Sequence, residues 1–170
     1  MNDIIVSCNG ANASGIRRLK LIGIEDVQFI RKPQLNVMDG VRTWMVMAGG
    51  LKLKPTAKIV KVGFVSGSAS MAETMVEDEG GILFQTSVDS SVNLDNADYA
   101  LSVSMLVGRG LIGLIEDRNG IYKILGDLHQ PLRLINNVVS VGANERTLGF
   151  GCRMNHQAYF IETIKDEFLF

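Results

Sequence analysis

Leu111-Ile-Gly-Leu-Ile-Glu-Asp-Arg-Asn-Gly-Ile-Tyr-Lys-Ile-Leu-Gly126 is the stretch on which the fold class turns. Two apolar runs flank Asp117-Arg-Asn-Gly120. Asn-Gly accepts the positive φ angles of a tight turn at little steric cost, so the stretch predicts two antiparallel strands joined as a hairpin. Upstream, Ala97, Ala100, Leu101, Ser104 and Met105 recur at helical spacing, and Asn93 or Asp95 can cap the first turn. Gly108 can end that helix in a left-handed cap, giving one amphipathic helix over about 95–107 that lies on a sheet.

Before the helix, Ile82 to Val92 alternates: Phe84, Thr86, Val88, Ser90 and Val92 share one face, and Gln85, Ser87, Asp89 and Ser91 the other. Such a strand is half buried with one wet side. Glu77-Asp-Glu-Gly-Gly81 reads as the hairpin turn that precedes it, and Lys58 to Val65 as a further strand. Ile16 to Ile24 sets Arg18 and Lys20 against Leu19 and Leu21, and a short strand follows over Val27 to Ile30 before Pro33. Beyond the hairpin, Pro131 breaks the chain, Leu132 to Val141 extends again, and Gly142-Ala-Asn-Glu145 turns it. Thr147 to Met154 and Ala158 to Ile164 complete the β material. The expectation is a single mainly β domain over 1–170, a β-barrel or β-sandwich of antiparallel hairpins with one packed helix. Residues 34–57 form a candidate extended loop or arm. Its apolar island, Trp44, Met45, Val46 and Met47, suits docking onto a neighbour if exposed, and a core strand or short helix if not.

Composition narrows the function classes. The 170 residues are 46% hydrophobic and 21% charged, a globular balance. Seventeen basic and 18 acidic side chains leave a net charge of −1, so no field of one sign draws the chain to nucleic acid or an anionic membrane. The start, Met1-Asn-Asp-Ile-Ile-Val6, carries an early acid and a short apolar run, which is not the pattern of a secretory signal. No window approaches the ~18 apolar residues of a membrane span. Cys8 and Cys152 lie far apart in sequence and are expected to be reduced thiols in a soluble, cytoplasmically made protein.

Few residues suggest chemistry. His129 and His156 fit no metal pattern, and on a continuous strand Cys152 and His156 would stand some ~13 Å apart, too far to share a metal. A Cys152–His156 nucleophile pair would need an orienting carboxylate in a deep pocket. Gly49-Gly50, Gly63 to Gly67 and Gly108-Arg-Gly110 build no phosphate cradle. Glu73, Glu77, Asp78 and Glu79 read as a solvated turn rather than a calcium loop. Arg17, Arg18 and Lys20, with Arg31 and Lys32, read as a solvated strand face or as a charge match to an acidic neighbour in an assembly. No catalytic, metal or cofactor-binding residue is expected, and the chain is not expected to be an enzyme.

Three stretches resemble a known group. Ser14-Gly-Ile-Arg-Arg-Leu-Lys-Leu-Ile-Gly-Ile-Glu-Asp-Val27 is similar to the opening of short tail-tube-like structural proteins of phages and prophages of gut bacteria. Glu77 to Val88 resembles their central hairpin, and Leu111 to Asp127 the strand pair after their single helix. The order of the elements is also theirs, over more than half of the chain. The resemblance implies a virion protein whose rings, commonly hexameric, stack into a channel for DNA as non-specific transit cargo. It implies other tail proteins as partners, no membrane anchor, and assembly in the bacterial host cytoplasm. On this reading Trp44, Met45, Val46, Met47, Phe168, Leu169 and Phe170 form assembly contacts. Gln85, Ser87, Asp89 and Ser91 face the lumen, with their strand pairing edge to edge with a neighbour. The chain departs from the group at 34–57 and in its Phe168-Leu-Phe170 tail. A tail terminator or neck component, an adaptor and a small ligand-binding β-barrel stand as alternatives.

Overall fold

A computed structural model describes residues 15–38, 41–92, 97–140 and 145–170, and in it the chain is mainly antiparallel β-structure. The first half contains β1 (Ile16–Gly23), β2 (Val27–Ile30), β3 (Gln34–Met38), β4 (Val41–Met45), β5 (Leu51–Leu53), β6 (Ile59–Val62), β7 (Ser70–Asp78) and β8 (Gly81–Val92). After α1 (Ala97–Ser104) come β9 (Leu111–Asp117), β10 (Tyr122–Leu125), β11 (Arg133–Ser140), β12 (Glu145–Met154), β13 (Tyr159–Ile161) and α2 (Asp166–Leu169).

The architecture follows from β9. Every residue from Leu111 to Glu116 is buried, because Leu-Ile-Gly-Leu-Ile offers no polar side to water and must be covered on both faces. It sits third in a five-stranded sheet of order β13-β10-β9-β1-β6. On one face Leu19, Leu21, Leu111 and Ile115 pack against Val88, Leu148 and Phe150 of a four-stranded sheet, β11-β12-β8-β7. On the other face Ile22, Ile112, Leu114 and Ile124 pack against Val27, Val46, Leu51, Leu53, Ile164 and Leu169. The chain is therefore a sandwich with a third, partial layer, and among the described residues no sheet closes on itself.

The expected hairpins form. At the β9–β10 turn Asp117 Oδ1 accepts the N–H groups of Asn119 and Ile121, each at 2.8 Å, and Gly120 takes φ +77°. β7 and β8 run on to a two-residue turn, Glu79-Gly80. The alternation of β8 also holds: Thr86, Val88 and Ser90 are buried while Gln85 and Asp89 are exposed.

The helix differs from expectation in extent and in face. Its described part ends at Ser104, with a turn leading to Gly108 at φ +75°, and 93–96, with both proposed caps, lie outside the described residues. Val103 and Leu106 are buried, whereas Leu101, Ser104 and Met105 face solvent. An eight-residue helix has too little apolar stripe to set its own rotation. The segment 34–57 contains three strands: among the described residues β3 and β4 pair only with each other, and β5 joins β2 in the core. Val46 anchors that hairpin, its N–H donating to the Phe160 carbonyl (2.7 Å) and its own carbonyl accepting from Glu162 (3.0 Å).

Where β9 and β11 begin, Leu111 and Leu132 exchange N–H···O=C bonds of 2.8 and 2.9 Å that tie the two sheets together. Gly126 lies against this tie at φ +78°; a Cβ there would stand 2.6 Å from the Leu132 nitrogen. Gly120 shares its backbone sign but has open space around it. Gly120→Ala is expected to cost about 1 kcal/mol, the left-handed penalty alone, and Gly126→Ala about 3 kcal/mol or more. Urea unfolding of the two variants checks this; equal midpoints would show that the tie yields.

Candidate functional site

The sheets end in very different margins. The five-stranded sheet stops at two short strands, β6 of four residues and β13 of three, and Val46 bridges to β13. The four-stranded sheet stops at β7, nine residues, and β11, eight residues. Among the described residues no strand lies beyond either. Soluble proteins blunt open margins with charge, proline or twist, because unpaired N–H and C=O groups there recruit other strands. A bulge between Leu134 and Asn136 twists the start of β11, but Leu134-Ile-Asn-Asn-Val-Val-Ser140 carries no charge and no proline. Ile135 is 67% exposed, and Val138 and Val139 are also exposed. On β7, Met75 is 64% exposed and Val76 lies beside it.

The residues expected to face a lumen lie on the outer face of this sheet. Gln85 and Asp89 are exposed and Ser87 and Ser91 half-buried. One expectation is corrected: β8 is flanked by β12 and β7, so its ladder is complete on both sides and it cannot pair with a neighbour. The open strands are its outer companions. Local alternation reports a strand's faces and is silent on its rank in the sheet.

The seven expected assembly residues divide. Trp44 is 61% exposed, and Phe168 and Phe170 are also exposed. Met45 and Met47 are half-buried. Val46 and Leu169 are each 1% exposed and belong to the core beneath the five-stranded sheet, which corrects their assignment to a contact surface. Val46 lies past the end of β4, where its backbone bonds to the β13 segment and its side chain enters the core, and α2 turns Leu169 inward beside Phe168. Trp44 and Met45 instead join Phe84, His156, Tyr159 and Phe160 around an apolar groove of about 600 Å³. The aromatic pair Tyr159-Phe160 was the available sequence signal for this groove.

His156 and Cys152 line different hollows. β12 ends at Met154, so the strand spacing between them does not apply. His156 stacks on Tyr159 with ring centres 4.2 Å apart, and its Nδ1 and Nε2 lie 2.8 Å from the Gln157 carbonyl and 3.2 Å from Asp127 Oδ2. Asp127 Oδ1 accepts the N–H groups of His129 (2.7 Å) and Gln130 (2.6 Å). Burial raises the Asp127 pKa, but these donors and the His156 ring outweigh it and hold the carboxyl below its ordinary value. Cys152 lines a separate hollow with Thr86 and Gln130. Burial, aided by the charges of Asp127 and Glu73, pushes its thiol up to about 11, so it is protonated at neutral pH. Cys8 lies outside the described residues. Among the described residues no group of three or more His, Cys, Asp or Glu converges as metal ligands, and no helix is long and apolar enough to cross a membrane. No family model, no curated protein and no solved structure matches this chain.

Two measurements check these environments. In a Cys8→Ser variant, Cys152 is expected to resist Ellman's reagent at about pH 8, where roughly a thousandth of it is thiolate, and to react fully once denatured; reaction of the native protein within minutes contradicts this. Asp127→Asn is expected to lose about 1–2 kcal/mol at neutral pH. The folded pKa is depressed, so this stabilisation is present above the unfolded value near ~4 and disappears as pH falls through the folded one. Stability curves of variant and parent should converge in acid; a gap constant with pH refutes the assignment.

Proposed function

We propose that this chain is a structural subunit that assembles laterally with copies of itself, and that it serves as a tail-tube subunit of a phage or prophage particle. The observation that carries the proposal is the β11 margin: eight residues, uncharged beyond Arg133, with Ile135, Val138 and Val139 exposed. Its unpaired backbone groups and apolar side chains suit a strand added from outside. That strand is β7 of the next copy. Every pair in β11-β12-β8-β7 is antiparallel, so β11 and β7 run in opposite directions. A copy turned about an axis along the strands therefore brings its β11 antiparallel to the β7 of the first.

Both margins are open together, which favours a closed ring over an adaptor that needs one margin only. The same margins would also serve a tail terminator or neck component. By the resemblance the ring is hexameric, and rings stack into the channel of a virion tail built in the host cytoplasm. Gln85, Ser87, Asp89 and Ser91 then line the passage, with the exposed Arg133 and Arg153 beside Ser87 and Gln85 on the same face. No cofactor and no catalytic step belongs to this role.

Light scattering on a sizing column, with electron microscopy of the same fractions, tests it. The parent is expected to form rings or tubes. Ile135→Lys combined with Val138→Lys, both exposed and clear of the core, is expected to weaken association at least ~10-fold with unchanged circular dichroism. A parent that stays monomeric at high concentration, or a variant that assembles as the parent does, overturns the reading.

A further inference from the structure

Consecutive residues of a strand ordinarily point to opposite faces, yet Arg17 and Arg18 converge on one carboxylate. The bulge between Ile16 and Arg18 re-aims them. Arg17 donates to Glu116 Oε1 at 3.3 Å, and Arg18 stands 3.3 Å from Oε2 as an ion pair without hydrogen-bond geometry. β6 pairs only with Leu19 to Ile22, so Arg17 and Arg18 have no strand beside them on that side. The gap is a groove of about 690 Å³, lined by Arg17, Arg18, Lys20, Lys61 and Lys165 with Asp166 and Glu167. Lys20 is held by the Ile164 carbonyl (2.7 Å) and Asp166 (2.8 Å). Lys61 and Lys165 are exposed and meet no carboxylate within 4 Å among the described residues. Five cations against Glu116, Asp166 and Glu167 leave two positive charges here, in a chain whose total is −1.

The acid that matches this groove is at the other end of the molecule. Glu77-Asp-Glu79 tips the β7–β8 hairpin, and Glu77 and Glu79 are exposed with no cation in reach among the described residues. The hairpin overhangs the sandwich: on its inner face Met75 is 64% and Ile82 54% exposed. Ile16 N–H donates to the Ala69 carbonyl at 3.0 Å, which sets the groove end of β1 beside the start of β7. The acidic turn lies at the far end of β7, nine residues on and roughly 30 Å away. The two features therefore cannot meet within one chain, whereas a copy displaced along the strand direction brings one to the other.

We infer that the acidic tip of the β7–β8 hairpin seats in the basic groove beside β1 of a second copy, an end-to-end contact between layers of the assembly. It rests on the self-assembly reading above but uses different atoms: lateral pairing takes backbone groups along β7, and this contact takes side chains of the turn. Matched charges of this kind fix partner and register.

Two double reversals test it, Lys61→Glu with Lys165→Glu in the groove and Glu77→Lys with Glu79→Lys at the tip; all four side chains are exposed, and melting curves verify folding. Sedimentation and electron microscopy at about 50 mM and about 500 mM salt follow stacking. Each reversal is expected to weaken end-to-end association roughly tenfold or more, high salt to do the same to the parent, and an equal mixture of the two variants to recover it. Rings that stack like the parent in both variants overturn this contact and leave lateral assembly standing. Loss in the groove variant alone, or no recovery on mixing, means that another segment occupies the groove and equally overturns it. A single-stranded oligonucleotide bound by the parent but not by the groove variant, with stacking unchanged, assigns the groove to phosphate and overturns it too. A parent that is monomeric throughout removes both this contact and the reading beneath it.

Discussion

A strand that has no side to give to water dictates this molecule. Leu111 to Ile115 is apolar throughout, and burying each large side chain contributes about 1.5–3 kcal/mol, so β9 is stable only between two layers. The four-stranded sheet supplies one layer and β2, β5 and α2 the other. The four-stranded sheet must then spend its inner face on that core, which leaves a polar outer face and two long margins. Those margins are a by-product of the covering arrangement.

Charge is handled by the same layering. Glu116 closes the apolar run of β9 and is buried, and an isolated carboxylate there would be costly. The bulge in β1 brings two guanidinium groups to it, and Lys20 reaches across to the start of α2. Asp127 and Gln130 knit the loop before β11 to the chain after β12, the latter through the Asn155 N–H. Polar groups thus fasten connections that the two apolar clusters do not reach.

Much of this was legible in the residues. Asn119-Gly120 announced the hairpin, and the period of two in Phe84 to Val92 announced a strand with one dry face; both form. What stayed hidden depends on partners distant in sequence. No local pattern says that β8 is interior and β11 marginal, since that is decided by β12, whose Arg146 pairs with Val92 across 54 residues of chain. Val46 and Leu169 looked like parts of exposed runs, but Val46 is drawn into the core by its bridge to β13 and Leu169 takes the inward side of α2. The convergence of Arg17 and Arg18 needs a bulge, which leaves no mark in composition. Glu116 was the one readable hint, the first of two acids ending the run Leu111 to Ile115.

The two margins of the four-stranded sheet are not level. Arg133 shares a row with Gly151, Ser87 and Ala72, so β11 runs from there towards Val92, while β7 runs from Asp89 the other way, down to Gly81. The midpoints of the two strands are offset by about four to five residues along the strand direction, or ~15 Å at ~3.3 Å per residue. In the lateral assembly proposed here, each copy would step by that offset across four strands spaced ~4.8 Å apart, which inclines the strands by roughly 40° to the ring axis, inside the ~35–45° range of closed barrels. The unequal placement of two edge strands would thus translate into the shear, and hence the pitch, of whatever wall the copies build.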